Sequence, residues 1–452
     1  MIVWLLHFLT WPISFLIFKF FNRFNVVGKE NIKGLKNPVI FLSNHESYYD
    51  PFLLETGLSW FSSLYPVYYL ANLRNFKKKT SIFFSRLYGA FSGGIEYGPD
   101  ESIKIPLEIL KSGKNLGIFP EWCYKTEIEL ERLEKLIVIL AIKTGRPIVP
   151  VFIYGIFDGG ISWKKILSKK REIKVVYGKP FILKDIKDID RGVEIIRKAL
   201  LETKFSLIEY FHEQERKFWN NYAKFYHYLE RSNSYKDLIN DFSDELPDKI
   251  SGKWVDLGSG SGAITELLNK KNDFKNTQIT ATDFDSVMLN YLTKRFSNNN
   301  NINIKNVDIA HSLDFADNYL DGVTANLVLP YVIHHEGEIG KKAFKKLLKE
   351  IFRTIKPGGY FIWSSPKNNV NFLWVFIASW RNILDYKNLN HAYYGPAILG
   401  QALKIQYKGK RDIYHFLNTK NLYNILSEIG FREIKLKRSM AGQVNIISCK
   451  KL

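Results

Sequence analysis

Residues 254–262 read Trp254-Val-Asp-Leu-Gly258-Ser-Gly260-Ser-Gly262, with three glycines between a short apolar run and a helical stretch that follows. Glycine allows the backbone to approach a ligand closely, and the first turn of a helix directs its N–H groups at that ligand. Taken alone, the turn would also suit a dinucleotide-binding fold. The segment predicts a strand, a nucleoside-binding turn and a helix, in that order.

The sequence around this turn alternates between short apolar runs and helical spacers, which is typical of a doubly wound, Rossmann-like α/β sheet. The predicted strands are 254–257, 278–283, 302–308, 323–328, 359–363, 432–436 and 444–448. Two acidic residues stand at informative places, because Asp283 ends the second of these strands and Asp308 follows the third. The carboxyl ends of parallel strands meet at one edge of a sheet, so we expect both carboxylates near the glycine turn.

This combination of glycine turn and acidic strand ends resembles class I S-adenosylmethionine-dependent methyltransferases over residues 218–452. The resemblance implies S-adenosyl-L-methionine as the cofactor, with Asp283 on the ribose and Asp308 near the adenine. The cofactor-binding residues that it implies are Asp256, Gly258, Gly260, Gly262, Asp283, Asp308 and Asn326.

The methyl acceptor is less well defined by the sequence. His334 and His335 follow the fourth strand of this half and are candidate bases for a hydroxyl acceptor, although adjacent histidines are also common on surfaces. Residues 372–380 and 391–396 are rich in aromatic and aliphatic side chains. They suit a lid over an apolar acceptor or a membrane-facing surface, and core packing explains them nearly as well.

The N-terminal half shows a second α/β alternation between residues 37 and 180. There, Asn44-His45-Glu-Ser-Tyr-Tyr-Asp50 follows the apolar run 39–43. His45 is a candidate general base, and Asp50 would orient the imidazole and stabilise its charged form. Asp50-Pro51 is also a typical helix start, and both roles can hold together.

This block is followed in order by Ile118-Phe-Pro-Glu121 and by Gly145-Arg-Pro-Ile-Val-Pro-Val151. With these three blocks in this order, residues 1–205 resemble the glycerolipid acyltransferase family. The resemblance implies acyl transfer from a thioester, either acyl-CoA or an acyl carrier protein, to a hydroxyl or amine. It also implies His45 as the base, Asp50 as its partner, and Asn44 and Glu121 as acceptor-binding residues.

Two departures from that family pattern concern the acceptor. The sequence reads Trp122-Cys-Tyr-Lys125 where the family has Gly-Thr-Arg, and residues 89–96 also lack the expected arginine. Lys125 has no bidentate fork, and Arg86 has one but does not stand in the matching place. We therefore expect an acceptor other than ordinary lysophosphatidate. The alternative is that other basic residues hold the phosphate.

The first 21 residues form a nearly continuous apolar run that contains Pro12, two tryptophans and Lys19. The run lacks the basic start and the cleavage site of a signal peptide, and its tryptophans favour a membrane interface. We expect a membrane-embedded or re-entrant helix at 1–25, an acyltransferase domain at 26–205, a helical linker at 206–217 and a methyltransferase domain at 218–452. The alternative is a hydrophobic helix that packs on its own domain.

Charge and composition narrow the partners. The chain has 65 Lys and Arg against 45 Asp and Glu, which suits anionic lipids or acyl donors. No nucleic-acid-binding motif occurs, and the two cysteines exclude a cysteine-rich zinc site. We expect neither a metal nor nucleic acid as a partner. The expected partners are membrane lipids and an acyl donor, and the expected location is the cytoplasmic face of the cell membrane. The oligomeric state stays open.

These patterns predict a bifunctional lipid-modifying enzyme. Two alternatives remain: an acyltransferase whose methyltransferase-like domain is regulatory and catalytically silent, and a methyltransferase whose degenerate acyltransferase half serves as a membrane dock.

Overall fold

The computed structural model describes residues 2–452 except 72–82, 84, 93–98, 121–126, 157–166, 168–170, 185, 187, 231 and 380–388. The chain divides into two units, Met1–Glu209 and Tyr210–Leu452.

The first unit is built on a seven-stranded sheet with the order β1-β7-β6-β2-β5-β3-β4. Neighbouring strands are parallel except β6 and β7, which pair antiparallel. The strands are β1 Arg23–Val27, β2 Ile40–Ser43, β3 Val67–Ala71, β4 Ala90–Ser92, β5 Asn115–Ile118, β6 Ile148–Tyr154 and β7 Glu172–Tyr177. The helices are α1 Ile2–Leu16, α2 Lys29–Ile32, α3 Asp50–Gly57, α4 Pro99–Lys111 and α5 Glu127–Thr144, and α6 Ile189–Glu230 continues past the end of this unit.

The sheet of the first unit is buried on both faces. Along β2, Ile40 and Leu42 join one apolar cluster, whereas Phe41 between them joins the other. Side chains alternate between the faces of a strand, so a strand covered on both sides reads as a continuous apolar run. This burial holds the end of β2, where the candidate base begins, at a fixed place.

One face of helix α1 packs on the rest of the first unit, and the opposite face is exposed. The indole of Trp11 donates to the carbonyl of Glu55 at 3.1 Å, and the indole of Trp60 donates to the carbonyl of Phe8 at 3.0 Å. His7 is buried, and its Nδ1 lies 2.8 Å from the Glu55 carboxylate. The outward face carries exposed apolar residues, namely Ile2, Trp4, Leu5, Leu9, Ile13 and Leu16.

Residues Ile2–Phe21, which join α1 to the π-helical turn Ile17–Phe21, are long and apolar enough to cross a membrane. Within the described part of the chain this is the one stretch that meets this test of length and composition.

The second unit contains a seven-stranded sheet with the order β10-β9-β8-β11-β14-β16-β15. The first five strands in this order are parallel, and β16 is antiparallel to both of its neighbours. The strands are β8 Ile250–Asp256, β9 Asn272–Asp283, β10 Ile302–Asn306, β11 Leu320–Asn326, β14 Ile355–Pro366, β15 Phe431–Ser439 and β16 Val444–Lys451, and β12 His334–His335 pairs with β13 Glu338–Ile339 in a separate ribbon. The helices are α7 Asn233–Glu245, α8 Ala263–Lys270, α9 Ser286–Arg295, α10 Lys341–Thr354, α11 Phe372–Ala378, α12 Leu389–Lys410 and α13 Thr419–Ile429.

The α/β class predicted for both halves is confirmed, and so is the Rossmann-like sheet of the C-terminal half. In that sheet β8 is the first strand in sequence, and it lies between β9 and β11. The strand order therefore reverses beside the glycine turn that follows β8. In sheets of this kind, ligands bind in the crevice at such a reversal, outside the carboxyl ends of the strands.

Candidate active sites

His45 and Asp50 lie together at the end of β2. The imidazole Nδ1 of His45 is 2.7 Å from Oδ2 of Asp50. The Asp50 side chain is fully buried, and the His45 side chain is 12% exposed. A carboxylate that accepts the Nδ1–H proton leaves the lone pair of the imidazole on Nε2, which is the arrangement that a general base requires.

The loop before α3 fixes Asp50. Its Oδ2 also accepts the backbone N–H groups of Glu46 and Ser47, at 2.7 and 2.8 Å. Its Oδ1 accepts the Ser47 hydroxyl at 2.7 Å. Asp50 is thus the first residue of α3 and also binds the loop that carries His45. Charge-assisted hydrogen bonds of this number hold a buried carboxylate in one orientation.

The His45 ring stacks on Phe119, with ring centroids 4.5 Å apart. Phe119 follows β5, which pairs in parallel with β2 and matches Ile118 to Leu42. Residues that follow these two strands therefore leave the sheet at the same edge. Glu121, predicted to bind the acceptor, lies outside the described residues, as do Trp122 to Lys125.

The side chain of Asn44 forms hydrogen bonds with the backbone of a neighbouring strand. Its Nδ2 donates to the carbonyl of Ile153 at 2.9 Å, and its Oδ1 accepts the N–H of the same residue at 2.7 Å. The side chain is buried. Asn44 therefore ties the loop of His45 to β6, and its predicted role in acceptor binding stays a prediction.

The second unit contains a cavity of about 160 Å³ at the carboxyl ends of its parallel strands. Of the predicted cofactor residues, the cavity is lined by Gly258, Gly260, Asp283, Asp308 and Asn326. The structure thus brings together side chains and glycines from the ends of four strands. We call this space the cofactor cavity.

The glycine turn and Asp283 are joined directly. The N–H of Gly260 donates to Oδ2 of Asp283 at 2.9 Å, and the N–H of Asp285 donates to Oδ1 at 2.9 Å. Gly258 has a φ of +61° and Gly260 a φ of +54°, and a Cβ at Gly258 would come within 2.6 Å of Val328. Only glycine adopts this backbone without strain. Burial raises the pKa of the Asp283 carboxyl to about 6.

Two of the predicted cofactor residues act from beneath the cavity. Asp256 is buried and accepts the hydroxyls of Thr265 at 2.7 Å and Thr324 at 3.0 Å. Burial raises its pKa to about 6. Gly262 caps α8 with a φ of +88°. Neither residue belongs to the lining of the cavity, and their predicted roles in cofactor binding stay predictions.

Asp308, His212 and His334 line the cavity together, and His311 lies beside Asp308 outside the lining. Oδ2 of Asp308 lies 3.8 Å from Nδ1 of His212 and 3.9 Å from Nε2 of His311. The rings of His212 and His334 have centroids 5.4 Å apart. A metal-binding cluster of histidine, cysteine and carboxylate groups is not found within the described ranges.

The two histidines predicted as candidate bases have different surroundings. His334 lines the cavity at the Asp308 end, and burial followed by the nearby His212 lowers its pKa to about 4. A conjugate acid of that pKa makes a weak base at neutral pH. His335 is fully buried outside the lining, where its Nδ1 donates to the carbonyl of Ile309 at 2.9 Å. Its position does not favour a role as a base.

Asn326 lies at the end of β11 and lines the cavity. Its Oδ1 accepts the Ser364 hydroxyl at 2.6 Å, and its Nδ2 donates to the Tyr235 hydroxyl at 3.2 Å. The sequence patterns do not point to several lining residues, including His212 and Trp219 from α6 and Tyr331 from the 3-10 helix Leu329–Tyr331. Aromatic residues three positions apart in α6, Trp219 and Tyr222, were the available signal.

Comparison with known proteins gives the same division. Residues 23–154 match the family described as acyltransferase, and residues 255–363 match the family described as methyltransferase domain. The 1-acyl-sn-glycerol-3-phosphate acyltransferase LPAT1 of Arabidopsis thaliana chloroplasts is 27% identical over 145 residues, which is 30% of this chain and 37% of that protein. The 1-acyl-sn-glycerol-3-phosphate acyltransferase of Bacillus subtilis strain 168 is 30% identical over 156 residues, which is 34% of this chain and 72% of that protein.

The match thus covers less than half the length of the chloroplast relative and most of the bacterial one. Among solved structures, a SAM dependent methyltransferase from Aquifex aeolicus has a TM-score of 0.31 and 15% identity, covering 50% of this chain and 92% of that one. The N-methyltransferase NodS from Bradyrhizobium japonicum WM9, in complex with S-adenosyl-L-homocysteine, has a TM-score of 0.33 and 13% identity, covering 49% and 90%. The chain belongs to the 1-acyl-sn-glycerol-3-phosphate acyltransferase family through its N-terminal half, and it carries a methyltransferase domain in its C-terminal half.

Proposed function

We propose that the chain is a bifunctional lipid-modifying enzyme. Its N-terminal domain would transfer a fatty acyl group from a thioester to a lipid or glycerol-type acceptor, and its C-terminal domain would transfer a methyl group from S-adenosyl-L-methionine to a lipid-like or small-molecule acceptor. The observation that carries the proposal is the 2.7 Å contact between His45 and the fully buried Asp50. The proposed domains span 26–205 and 218–452.

In the acyl transfer, Nε2 of His45 takes the proton from the acceptor hydroxyl as its oxygen attacks the thioester carbonyl. Asp50 holds the Nδ1–H tautomer and stabilises the imidazolium that forms. Collapse of the tetrahedral intermediate breaks the carbon–sulfur bond and releases the thiolate, which takes the proton from His45. The products are the acylated acceptor and the free thiol.

The donor would be acyl-CoA or an acyl carrier protein, and the net charge of +20 suits these anionic partners. We propose an acceptor other than ordinary lysophosphatidate, since Trp122-Cys-Tyr-Lys125 replaces the family's Gly-Thr-Arg. A guanidinium grips a phosphate with two parallel bonds, whereas a lysine provides a single point charge. Rapid acylation of lysophosphatidate by the purified protein would contradict this part of the proposal.

The residues of the cofactor cavity fit S-adenosyl-L-methionine, which supplies an electrophilic methyl group on a sulfonium. The buried carboxylate of Asp283 faces the cavity and suits the two hydroxyls of a ribose, while Asp308 and its backbone neighbours suit a purine edge. Gly258 and Gly260 let the backbone approach the ligand. Asp256 holds the turn from below through Thr265.

We also propose that the enzyme sits at the cytoplasmic face of the cell membrane through α1. Its inner face is bound to the acyltransferase unit by Trp11 and His7, and its outer face is apolar and exposed. A helix that is held along its length and apolar outside suits the plane of a membrane interface.

The acyl half of the proposal is tested with purified protein, membrane lipid extract and a radiolabelled acyl thioester. We expect acylated lipid from the wild type and its loss in His45→Ala. The methyl half is tested by calorimetric binding of S-adenosyl-L-methionine, with at least about tenfold weaker binding in Asp283→Ala. A protein that binds the cofactor without methylating any lipid or small molecule would favour a regulatory domain, and one that never transfers acyl groups would favour a membrane dock.

A further inference from the structure

A second cavity of about 100 Å³ lies next to the cofactor cavity in the second unit. Three residues, Tyr222, Leu327 and Tyr331, line both spaces. The two cavities therefore adjoin at these three residues, which we call the junction. A group held at the junction would lie beside the cofactor, and the rest of its molecule would extend into the second cavity.

The second cavity is lined mainly by hydrocarbon. Helix α11 contributes Phe372, Val375 and Phe376, and helix α12 contributes Ile398, Leu399 and Ala402 among others. The described residues of the lining include no charged side chain. Such a surface favours an apolar ligand, since a charged group that entered it would lose its hydration without compensation.

The outer face of α11 is also apolar, and the exposed residues of α12 include Leu403 next to Lys404. Leu373, Trp374 and Ile377 of α11 are 45%, 57% and 43% exposed, and Leu403 of α12 is 42% exposed. Every residue of α11 is apolar, so this helix offers hydrocarbon to both the cavity and the surroundings. A helix that is hydrophobic all round is typical of an apolar environment, and an exposed apolar patch of this kind marks a site of interaction.

The wall formed by α12 is fixed near the cofactor cavity. Lys408 Nζ lies 2.6 Å from Oε1 of Glu215, and the Tyr414 hydroxyl donates to Oε2 of Glu215 at 2.6 Å. Glu215 lies on α6 and lines the cofactor cavity. The apolar wall and the cofactor cavity therefore share a polar anchor, which suits a binding site of defined shape.

The geometry points to a long-chain lipid as the methyl acceptor, with its hydrocarbon tail between α11 and α12 and its reactive headgroup at Tyr222 and Tyr331. The tail would enter from the bilayer, which the exposed apolar face of α11 would contact. This inference rests on the proposed methyltransferase function, and it names the substrate class for that site.

The two tyrosines at the junction also bear on how the methyl acceptor reacts. Burial raises the pKa of both Tyr222 and Tyr331 above the ordinary value, at which a phenol is already protonated at neutral pH. The two hydroxyls can thus position an acceptor as hydrogen-bond donors, but neither removes a proton. The attacking atom must be nucleophilic without their help.

The experiment uses the full-length protein and hexadecanol with a diazirine near the middle of its chain. After irradiation, mass spectrometry maps the labelled peptides, which separates this cavity from any acyl site in the first unit. Calorimetry with S-adenosyl-L-methionine is run on the same samples. We expect labelling of 372–379 and 395–410, and about a tenfold reduction of this labelling in Ala402→Phe, whose side chain would fill the cavity.

Leu403→Trp is the matched control, because it adds an aromatic ring at the next position on the exposed face. It should retain the labelling. If Ala402→Phe fails to fold, Gly395→Val fills the same cavity from another position. Equal labelling of these peptides in wild type and filled variants, or none in a wild type that binds the cofactor, would overturn the inference. A wild type that does not bind S-adenosyl-L-methionine would overturn the proposed function and this inference with it.

Discussion

Replacement of Asp50 by asparagine tests the proposed acyl transfer at its most defined point. In the wild type, Oδ2 accepts three N–H groups, from the His45 ring, Glu46 and Ser47. The side-chain oxygen of asparagine can take the place of Oδ2, and the Ser47 hydroxyl can turn to accept from the new NH₂ group. Asp50→Asn should therefore keep the loop while removing the negative charge.

Two magnitudes follow from these contacts. A hydrogen bond to a charged group contributes about 1 kcal/mol more than a neutral one, so the four bonds that the Asp50 carboxylate accepts set an upper limit of about 4 kcal/mol on the lost stability. Relief of the buried charge offsets part of this loss. The catalytic effect is larger, because the imidazolium loses its partner. We expect kcat for acyl transfer to fall about 10²–10⁴-fold, which corresponds to about 3–5 kcal/mol in the barrier.

The assay is the initial rate of thiol release from acyl-CoA with membrane lipid extract, measured at saturating donor, together with thermal unfolding of each variant. Ser47→Ala is the matched control, because it removes one bond to Oδ1 of Asp50 and leaves the contact of Asp50 with His45. We expect Ser47→Ala to lose less than about tenfold in kcat, although both variants lose some stability. Wild-type kcat in folded Asp50→Asn would refute the assignment of His45 and Asp50 as base and partner.

Three further results are expected. The affinity for S-adenosyl-L-methionine should fall by up to roughly tenfold per pH unit below about 6, because the Asp283 carboxyl must be ionised to accept ribose hydroxyls and burial raises its pKa to about 6. Titration calorimetry should show weaker binding in Asp283→Asn and the loss of most of this pH dependence. His334→Ala should weaken cofactor binding while methyl transfer persists at saturating cofactor, and a complete loss of transfer in the folded variant would instead indicate that His334 is a base. His335→Ala should lower the free energy of unfolding by about 2–4 kcal/mol, because it empties a fully buried site. Leu9→Glu should reduce binding to anionic lipid vesicles at least about tenfold, since Leu9 is exposed on the outer face of α1. Ile182→Glu, the control at a similarly exposed residue, should leave the binding unchanged. Equal binding of the two variants would argue against α1 as the anchor.

The sequence carries most of the information about where the two sites lie. Gly260 and Asp283 end up in direct contact because they follow adjacent parallel strands, and the order of strands and turns places them at one edge. The same logic places His45 beside the residues that follow β5. Positions that depend on strand ends could be predicted, because the strands themselves are visible as apolar runs.

Other features depend on contacts that no local pattern encodes. The amide of Asn44 is bound by Ile153, which is 109 residues away in sequence. The two short strands β1 and β4 were not predicted, since Arg23–Val27 and Ala90–Ser92 are brief and lack a clear alternation. The apolar run of α11 was compatible with a lid, a membrane face and core packing, and only the structure places it on a cavity with an exposed outer face.

The histidines after β11 illustrate the same limit. His334 and His335 are neighbours in sequence, but they belong to a short ribbon that turns one ring to the cavity and buries the other. Strands of two residues have no periodic signal from which a direction could be predicted. Their separation into one cavity-lining and one buried residue thus emerges from tertiary packing.

The most direct test of the bifunctional account is a double-label experiment on one protein preparation. Membrane lipid extract is incubated with a ¹⁴C-labelled acyl thioester and ³H-methyl S-adenosyl-L-methionine, and the lipids are separated. We predict both labels in the lipid fraction of the wild type, loss of the acyl label alone in His45→Ala and loss of the methyl label alone in Asp283→Ala. Absence of either label in the wild type, or loss of both labels in one folded variant, would contradict the account.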